Sequence, residues 1–298
     1  MTVGCRRAAT VVLMIPALLL SGCLFTTRKL PVPKAPTIVQ SASAEELVNR
    51  LDKNWDALQS LYANVEIQLS VTKSSEGTAK DYTSIPGIIL LRKPEMLRVV
   101  GFAPVVRTRI FDMVSNGNDF TLYLPTQDKA YKGPNKLTHK SPNAIENLRP
   151  GFFLDALVVR GVQPGDDHMV TADQDTVEDV KKKHLLIIPE YILTIMRRKA
   201  NSSSEYQAVR VITFHREDLM PYQQDLYDDQ GNLETVVTYG NYLNFEGGKF
   251  PSTVTIKSKK PEAEFQVVLT VEKVKQQALK DDQFQLQLSE DTQIKTLE

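Results

Sequence analysis

Apolar and polar residues alternate with a period of two at residues 65–72 and again at residues 265–272, which predicts strands with one buried and one wet face. The densest block covers residues 86–131, where β-branched and aromatic residues dominate. Turn-forming residues divide this block at Lys93-Pro94, Phe102-Ala103-Pro104, Asn116-Gly117-Asn118 and Pro125-Thr126-Gln127. Further strands are predicted at residues 65–71, 184–188, 191–198, 208–215, 222–227, 233–239, 250–257 and 264–274, with a hairpin turn at 228–232.

A helical period replaces this alternation at residues 43–62. Ser43 and Glu46 have the spacing of a capping box, which marks a helix N-terminus. The apolar positions that follow lie on one stripe: Leu47, Leu51, Trp55, Leu58 and Tyr62. We therefore expect a helix packed on the sheet and central to the core, since the single tryptophan lies in the middle of its stripe; a dedicated ligand helix is the alternative.

Residues 141–161 interrupt the strands. Pro142 suits a helix N-terminus, Pro150-Gly151 ends that helix, and the apolar residues 152–159 begin another. Two short helices between strands predict a cover over a sheet, whereas residues 171–183 give no assignment. In total, about eleven or twelve strands and about three helices fit one large antiparallel sheet wrapped round a helical layer, a mainly β (α+β) fold.

The N-terminus has the pattern of a bacterial export signal. Arg6 and Arg7 precede an apolar run at residues 8–20 that is short for a membrane span. Leu20-Ser21-Gly22-Cys23 then resembles a lipobox, in which the cysteine is acylated and the peptide is cut before it. We therefore expect a lipoprotein signal peptide at residues 1–22 and lipid attachment at Cys23; a membrane-anchoring helix or an ordinary cleaved signal is the alternative.

Residues 23–42 are predicted to form the lipidated N-terminus and a tether. Pro31, Pro33 and Pro36 favour extended chain, and no apolar periodicity is present. Leu24 follows the cysteine, at a position where an aspartate commonly signals retention in the inner membrane of proteobacteria. Its absence predicts an outer-membrane anchor with the domain facing the periplasm.

Charge and cysteine content exclude several classes of protein. The chain has 36 basic and 36 acidic residues and no long basic stripe, which argues against nucleic-acid binding. Of its two cysteines, Cys5 lies in the predicted signal peptide, so no disulfide within one molecule is expected. A chain of this length can be held by its apolar core alone.

The chain contains no catalytic or metal-binding motif. Its histidines include no pair at i, i+4. There is no Gly-x-Ser-x-Gly elbow and no glycine-rich phosphate loop. Asp166, Asp167, Asp173 and Asp175 lack the spacing of a calcium loop and are predicted to form a solvated acidic turn. We expect no cofactor and no metal, and an enzyme is the least favoured class.

One predicted connection is unusual, because residues 102–106 contain no polar side chain. An apolar loop marks contact with something apolar, or it folds back over the rim of the sheet. Pro104 is expected to stiffen the turn and Gly101 to free its entry. Arg107 and Arg109 follow directly, where they could meet anionic lipid headgroups.

These features together resemble the LolA/LolB superfamily of lipoprotein-localisation factors. The resemblance covers roughly residues 44–284 and rests on the run RKPEMLRV, the apolar loop, SNGNDFTLYLPTQDKAY, HREDLMPYQQDLYDDQGNLETVVTYGNY and KFPSTVTI. It implies that residues 43–288 form an incomplete antiparallel β-barrel of about eleven strands with a helical cover. Residues 289–298 are then a C-terminal tail. The chain departs from the receptor of this family by a longer C-terminal half and by Val106, where a glycine often follows.

The same resemblance implies a function. Family members accept acyl chains in an apolar cavity, for which the candidate residues are Trp55, Leu58, Leu148, Phe152, Phe153 and Leu157. The outer-membrane receptor is itself a lipoprotein with an apolar membrane-contact loop, which corresponds here to Phe102, Pro104, Val105 and Val106. The implied role is binding of lipid or lipoprotein acyl chains during sorting or transfer to the outer membrane, with a periplasmic carrier protein as a possible partner. The alternatives are an envelope sensor or assembly scaffold that binds proteins, and a structural lipoprotein with a solid core.

Overall fold

The computed structural model describes residues 32–36, 38–73, 77–135, 151–179, 184–199, 202, 204–246, 248–259 and 264–297. These residues belong to two compact units. The smaller comprises residues 32–35, 176–179 and 184–187, and the larger comprises the rest. Within the smaller unit, Lys34 N donates to Leu185 O (2.8 Å) and Ile187 N donates to Lys34 O (2.9 Å), so the extended chain around Lys34 forms a parallel bridge.

The described residues form two α-helices and seventeen strands. The helices are α1 (Ala44–Ala57) and α2 (Gly151–Leu157). The strands are β1 (Ser60–Lys73), β2 (Thr78–Asp81), β3 (Ile85–Arg92), β4 (Met96–Phe102), β5 (Arg109–Ser115), β6 (Asp119–Leu124), β7 (Lys129–Pro134), β8 (Asp166–Asp179), β9 (His184–Arg198), β10 (Tyr206–His215), β11 (Pro221–Tyr227), β12 (Leu233–Tyr239), β13 (Tyr242–Phe245), β14 (Gly248–Pro251), β15 (Thr253–Ser258), β16 (Glu264–Lys275) and β17 (Gln293–Thr296).

Fifteen strands form one sheet that is not closed, which confirms the predicted mainly β class of incomplete barrel. Its order is β17-β7-β6-β5-β4-β3-β1-β16-β15-β12-β11-β10-β9-β8, with β2 paired on β1. The strand count exceeds the predicted eleven, and the sheet is mixed because β17 runs parallel to β7. The separate pair β13–β14 forms a short antiparallel hairpin.

The predicted capping box begins α1 as expected. Ser43 N donates to Glu46 Oε2 (2.7 Å), and Glu46 N donates to Ser43 Oγ (3.2 Å). The helix ends earlier than its apolar stripe predicts, because Leu58 is already the extended C-cap residue and Tyr62 lies in β1. The predicted stripe therefore joins one helical face to the first strand.

Trp55 lies at the edge of the main core, partly buried against it. Its ring is half-buried, with Lys93 Nζ 4.3 Å and the Arg160 guanidinium carbon 5.8 Å from its centroid. An indole at a core edge keeps its large apolar area in contact while its face meets cations. Helix α1 instead buries Leu47 and Leu51 in a cluster with β9 and β10.

Helix α2 supplies one wall of the main core. Phe153, Leu154, Ala156 and Leu157 are buried in a cluster with inward residues from β1, β3–β6, β12 and β14–β16. This helix confirms the second of the two predicted cover helices, although it begins one residue earlier and ends two residues sooner. The predicted helix after Pro142 lies outside the described residues.

Two strand assignments differ from prediction. The acidic stretch forms β8 rather than a turn, and Asp166 accepts two hydrogen bonds from Arg197 (2.7 and 3.0 Å) on the neighbouring strand. Strand β9 continues through Pro189, where the sequence predicts a break. Proline fits there because the β9–β10 ladder begins only at Glu190, so no ladder donor is lost.

The chain after β16 covers the second face of β3 and β4. Residues Ile89 and Leu91 face the main core, so the alternate Leu90 points to the opposite side, where Leu279 and Phe284 bury it. Arg92 Nη1 and Arg98 Nη1 hold this segment by donating to the carbonyls of Leu279 (2.9 Å) and Gln283 (2.7 Å). The sequence predicts a tail at residues 289–298, but residues 293–296 form β17. Directly after this strand, Leu297 N donates to Lys132 O (2.6 Å).

Candidate functional site

The connection between β4 and β5 is a tight, exposed apolar loop. Ala103 N donates to Thr108 O (2.8 Å), and Arg107 N donates to Ala103 O (3.0 Å). The turn closes with Arg107 in the left-handed region, at a φ of 55°. Val105 is 90% exposed and Val106 is 69% exposed, so this loop does not fold back over the sheet. Two valines are thus presented to solvent by a hydrogen-bonded, proline-containing turn.

Gly101 serves a different purpose from the predicted one. It lies within β4, and its φ is not in the left-handed region. A Cβ at this position would stand 2.8 Å from Phe111 Cδ1 and 2.9 Å from Ile85 Cδ1. The absence of a side chain therefore makes room for the Phe111 ring beside the loop, rather than freeing the entry to the turn.

A buried ion-pair network lies at the base of the loop. The Asp112 carboxylate is 0% exposed and accepts from Arg98 Nε (2.9 Å) and Nη2 (2.7 Å) and from Arg109 Nη1 (3.0 Å). The bidentate contact of Arg98 satisfies this carboxylate in a fixed geometry. Since two guanidinium groups share one carboxylate, the base of the loop keeps a net positive charge.

An open groove of about 670 Å³ runs beside the loop. Its lining combines apolar and cationic side chains with residues of the C-terminal segment: Phe102, Arg107, Thr108, Arg109, Tyr123, Pro125, Gln287, Leu288 and Ser289. No carboxylate is among these residues. We call this feature the loop groove.

Among the described residues, the apolar interior near the two helices leaves little free space. A pocket of about 50 Å³ lies where the C-terminal ends of α1 and α2 meet β12–β14, and it is lined in part by Trp55, Leu58, Leu157, Tyr239 and Phe245. That volume has room for a few water molecules and not for an acyl chain. A chain-length ligand could enter only if part of this lining moved.

Two buried polar side chains hold the C-terminal end of α2. Tyr239 OH donates to Ala156 O (2.9 Å), and Gln224 Nε2 donates to Asp155 O (2.8 Å). These carbonyls belong to the last turn of the helix, where no backbone donor follows. Burial raises the pKa of the Tyr239 hydroxyl above its ordinary value, so it stays a hydrogen-bond donor. The Gln224 Oε1 atom is buried and has no partner among the described residues.

A charged cluster adds to these contacts. Asp155 of α2 accepts a short hydrogen bond from Arg160 Nη2 and lies 3.6 Å from Arg210 Nη2. Arg210 Nη1 also donates to Arg160 O (2.9 Å), and Arg160 reaches Glu95 Oε1 at 3.4 Å. Helix α2 is therefore held on the sheet by apolar packing on one side and by polar contacts at its end.

The structure brings only part of the predicted site together. Trp55, Leu58 and Leu157 line one pocket, while Phe153 is buried in the adjoining core. Cys23 and Leu148 lie outside the described residues, and so does the side chain of Phe152. Phe102 borders the loop groove, and Pro104, Val105 and Val106 form the exposed turn.

Sequence inspection missed the polar residues that organise both regions. Arg98 and Asp112 had a detectable signal, because each interrupts an apolar run in neighbouring predicted strands. Gln224 and Tyr239 had none, since polar and aromatic residues are common at such strand positions. Their role depends on the helix they contact, which is 69 and 83 residues distant along the chain.

Comparison with known proteins identifies the fold. A LolA superfamily protein from Nitrosomonas europaea matches with a TM-score of 0.50 at 13% identity, over 83% of this chain and 99% of that one. A DUF1329 family protein from Desulfovibrio piger matches with a TM-score of 0.50 at 16% identity, over 81% of this chain and 95% of that one. No family model and no curated protein matches the sequence. The chain therefore has a LolA-like fold, as its sequence resemblance predicts.

Two further searches of the described residues bear on the site. They contain no group of three or more histidine, cysteine, aspartate or glutamate side chains placed to hold a metal ion. Neither of the described helices has the length and apolar character that crossing a membrane requires.

Proposed function

We propose that this protein binds the acyl chains of lipids or lipoproteins between its sheet and its helices, and meets a membrane through residues 102–106. In this proposal the acylated Cys23 anchors it to the outer membrane, facing the periplasm. The observation that carries the proposal is the 90% exposure of Val105 on a rigid turn, in a chain with a LolA-like fold. The closed turn holds these two neighbouring valines toward solvent, where they are available to an apolar surface.

The energy of loop insertion is modest. Fully burying one valine side chain is worth roughly 1.5–3 kcal/mol, so Val105 and Val106, which are 90% and 69% exposed, together contribute about 2–5 kcal/mol. Arg107 and Arg109 add about 1 kcal/mol each at an anionic surface. This total orients a tethered domain against a bilayer without holding it there permanently, as a transfer factor requires.

The closed interior requires a movable wall, and α2 is suited to be that wall. It is only seven residues long, whereas opening the sheet would break whole ladders of backbone hydrogen bonds. An acyl chain gains roughly 0.8 kcal/mol for each buried CH₂, which offsets the lost contacts of a short helix. Trp55, Leu58, Leu148, Phe152, Phe153 and Leu157 are the proposed lining of the opened cavity.

Anchoring is proposed at Cys23 on the evidence of Leu20-Ser21-Gly22-Cys23. One acyl chain gives only marginal membrane binding, whereas the multiple chains of a bacterial lipoprotein give stable anchoring. A Cys23→Ser variant should lose acyl labelling, and normal labelling of that variant would disprove the assignment.

Photo-crosslinking tests the interior site. The purified full chain is incubated with a phospholipid that carries a photoactivatable acyl chain, and the adducts are mapped by mass spectrometry. We expect adducts on peptides with Leu157 and with Tyr239 or Phe245, which line the pocket. Adducts confined to exposed residues, or none, would favour a filled core.

Fluorescence quenching tests the loop separately. Tryptophan replaces Val105 in a Trp55→Phe background, and the full chain is reconstituted in vesicles with brominated acyl chains. An Ile294→Trp variant is the matched control, since Ile294 is another exposed apolar residue. We expect quenching of the tryptophan at position 105 only; equal quenching of both would contradict membrane contact by the loop.

One observation favours a second candidate function. The interior pocket of about 50 Å³ also fits a protein with a filled core that recognises partner proteins. An absence of interior adducts together with an unquenched loop would favour this envelope scaffold or sensor.

A further inference from the structure

We infer that the loop groove is a binding site for the phosphate of a membrane phospholipid. This inference rests on the proposed membrane contact of the loop and adds a specific ligand to it. The groove is open to solvent and has a volume of about 670 Å³. Its lining divides into cationic residues and apolar residues, as an amphiphilic ligand requires.

The cationic part consists of Arg107 and Arg109. Among the described residues, Arg107 has no ion-pair partner, and Arg109 has only Asp112. That carboxylate is already held on both oxygens by Arg98, so Arg109 is not needed to neutralise it. Guanidinium groups bind phosphate oxygens bidentately. Two guanidinium groups that line one groove therefore form a phosphate site rather than a generally positive surface.

Carboxylates that adjoin the groove are not part of its lining. Asp128 stands behind the lining residue Ser289, whose Oγ donates a hydrogen bond to Asp128 Oδ1 (2.9 Å). The groove therefore presents two cations and no lining carboxylate.

The apolar part of the lining suits the glycerol backbone and the first carbons of acyl chains. Phe102 and Tyr123 come from the sheet and its loop, whereas Leu288 comes from the C-terminal segment. Phe102 lies three residues before the exposed Val105 in the chain. The apolar side of the groove therefore leads toward the residues proposed to enter the bilayer.

The depth of the groove relative to the loop agrees with a headgroup site. Val105 is three residues from Phe102 and four from Arg109, and the closed turn keeps each separation below the roughly 13 Å that four extended residues would span. Each headgroup region of a bilayer is about 5–8 Å thick. When the valines enter the acyl region, Arg107 and Arg109 therefore stand among the phosphates.

The test is a titration of the full chain in detergent, followed by native mass spectrometry. The probe is dihexanoyl phosphatidylglycerol, a phospholipid short enough to be soluble. Arg107→Asn keeps a residue that tolerates the left-handed backbone, and Arg109→Gln leaves Asp112 with Arg98. Lys257→Gln is the matched control, because this exposed lysine on β15 loses the same charge away from the groove.

We expect each arginine variant to bind the probe about fivefold more weakly, and the double variant about 25-fold more weakly, while the control binds as the parent does. Unchanged binding by Arg107→Asn, an exposed position where folding is not at stake, would overturn the inference. Competition by inorganic phosphate at the same concentration as the probe would also overturn it, since the site would then select free anions.

A Val105→Glu variant separates this inference from the proposed function. Val105 is not part of the groove lining, so the variant should bind the soluble probe normally. Suppose that the probe binds in a way that depends on the arginines while the tryptophan at position 105 is not quenched in vesicles. That pair of results would contradict the membrane-contact proposal and leave the phosphate site standing.

Discussion

Removing the hydroxyl of Tyr239 should loosen α2 without unfolding the sheet. In the closed structure this hydroxyl donates to Ala156 O at 2.9 Å, and it accepts a weaker hydrogen bond from Gln224 Nε2 at 3.3 Å. The ring itself is buried and packs in the main core. A Tyr239→Phe substitution keeps that packing and deletes only the polar contact.

The magnitude follows from what the substitution leaves behind. In the closed state Ala156 O becomes a buried carbonyl without a donor, which costs about 1–3 kcal/mol. In the open state the carbonyl reaches water, so the penalty disappears there. The population of the open state should therefore rise about 5- to 150-fold.

Hydrogen exchange measures this opening directly. The reporter is the amide of Val158, which donates to Leu154 O (3.1 Å) and closes the last turn of α2. Tyr242→Phe is the matched control, since the Tyr242 hydroxyl donates to the backbone carbonyl of Pro221 (2.7 Å) and not to a carbonyl of α2. Only Tyr239→Phe should accelerate exchange at Val158, and it should also increase the rate of lipid uptake.

The result that refutes the reasoning is equal acceleration by both variants. Helix α2 would then open only when the whole unit unfolds, because both substitutions lower global stability by a similar amount. The proposed acyl-chain site would in that case have no separate route of entry.

Three other perturbations have definite expected outcomes. Because burial raises the pKa of Tyr239, the unfolded chain loses this proton above its pKa of about 10 while the folded chain keeps it, so stability in urea should fall with pH more steeply in the parent than in Tyr239→Phe, by about 1.4 kcal/mol per pH unit; equal slopes would contradict this. Asp112→Ala leaves Arg98 partly buried and unpaired, and should cost about 3–5 kcal/mol in chemical denaturation, whereas a change under 1 kcal/mol would refute the importance of the pair. Gly101→Ala should lower stability by about 1–3 kcal/mol, because its Cβ meets the Phe111 ring; an increased thermal midpoint would contradict this.

Much of the local structure was predictable from sequence. The capping box of Ser43 and Glu46 formed as expected, and the turn at 228–232 closed with Asp228 N donating to Asn232 O (2.9 Å). Each interaction joins residues fewer than five positions apart, so its geometry depends on local backbone preference alone. The apolar loop was recognisable for the same reason, since its composition is a property of five consecutive residues.

The tertiary structure decided what these local elements do. Arg98 meets the carbonyl of Gln283, and Tyr239 meets that of Ala156, across 185 and 83 residues of chain. No period or spacing in the sequence encodes such partners, because they are selected by the packing of the whole sheet. The packing of distant segments likewise decides whether the valines of the loop face solvent. It also decides whether the interior around α2 is open or closed. The sequence alone determined most of the strands and the unusual loop, although not β8 or β17; only the folded chain determined which polar groups hold the helix over the core.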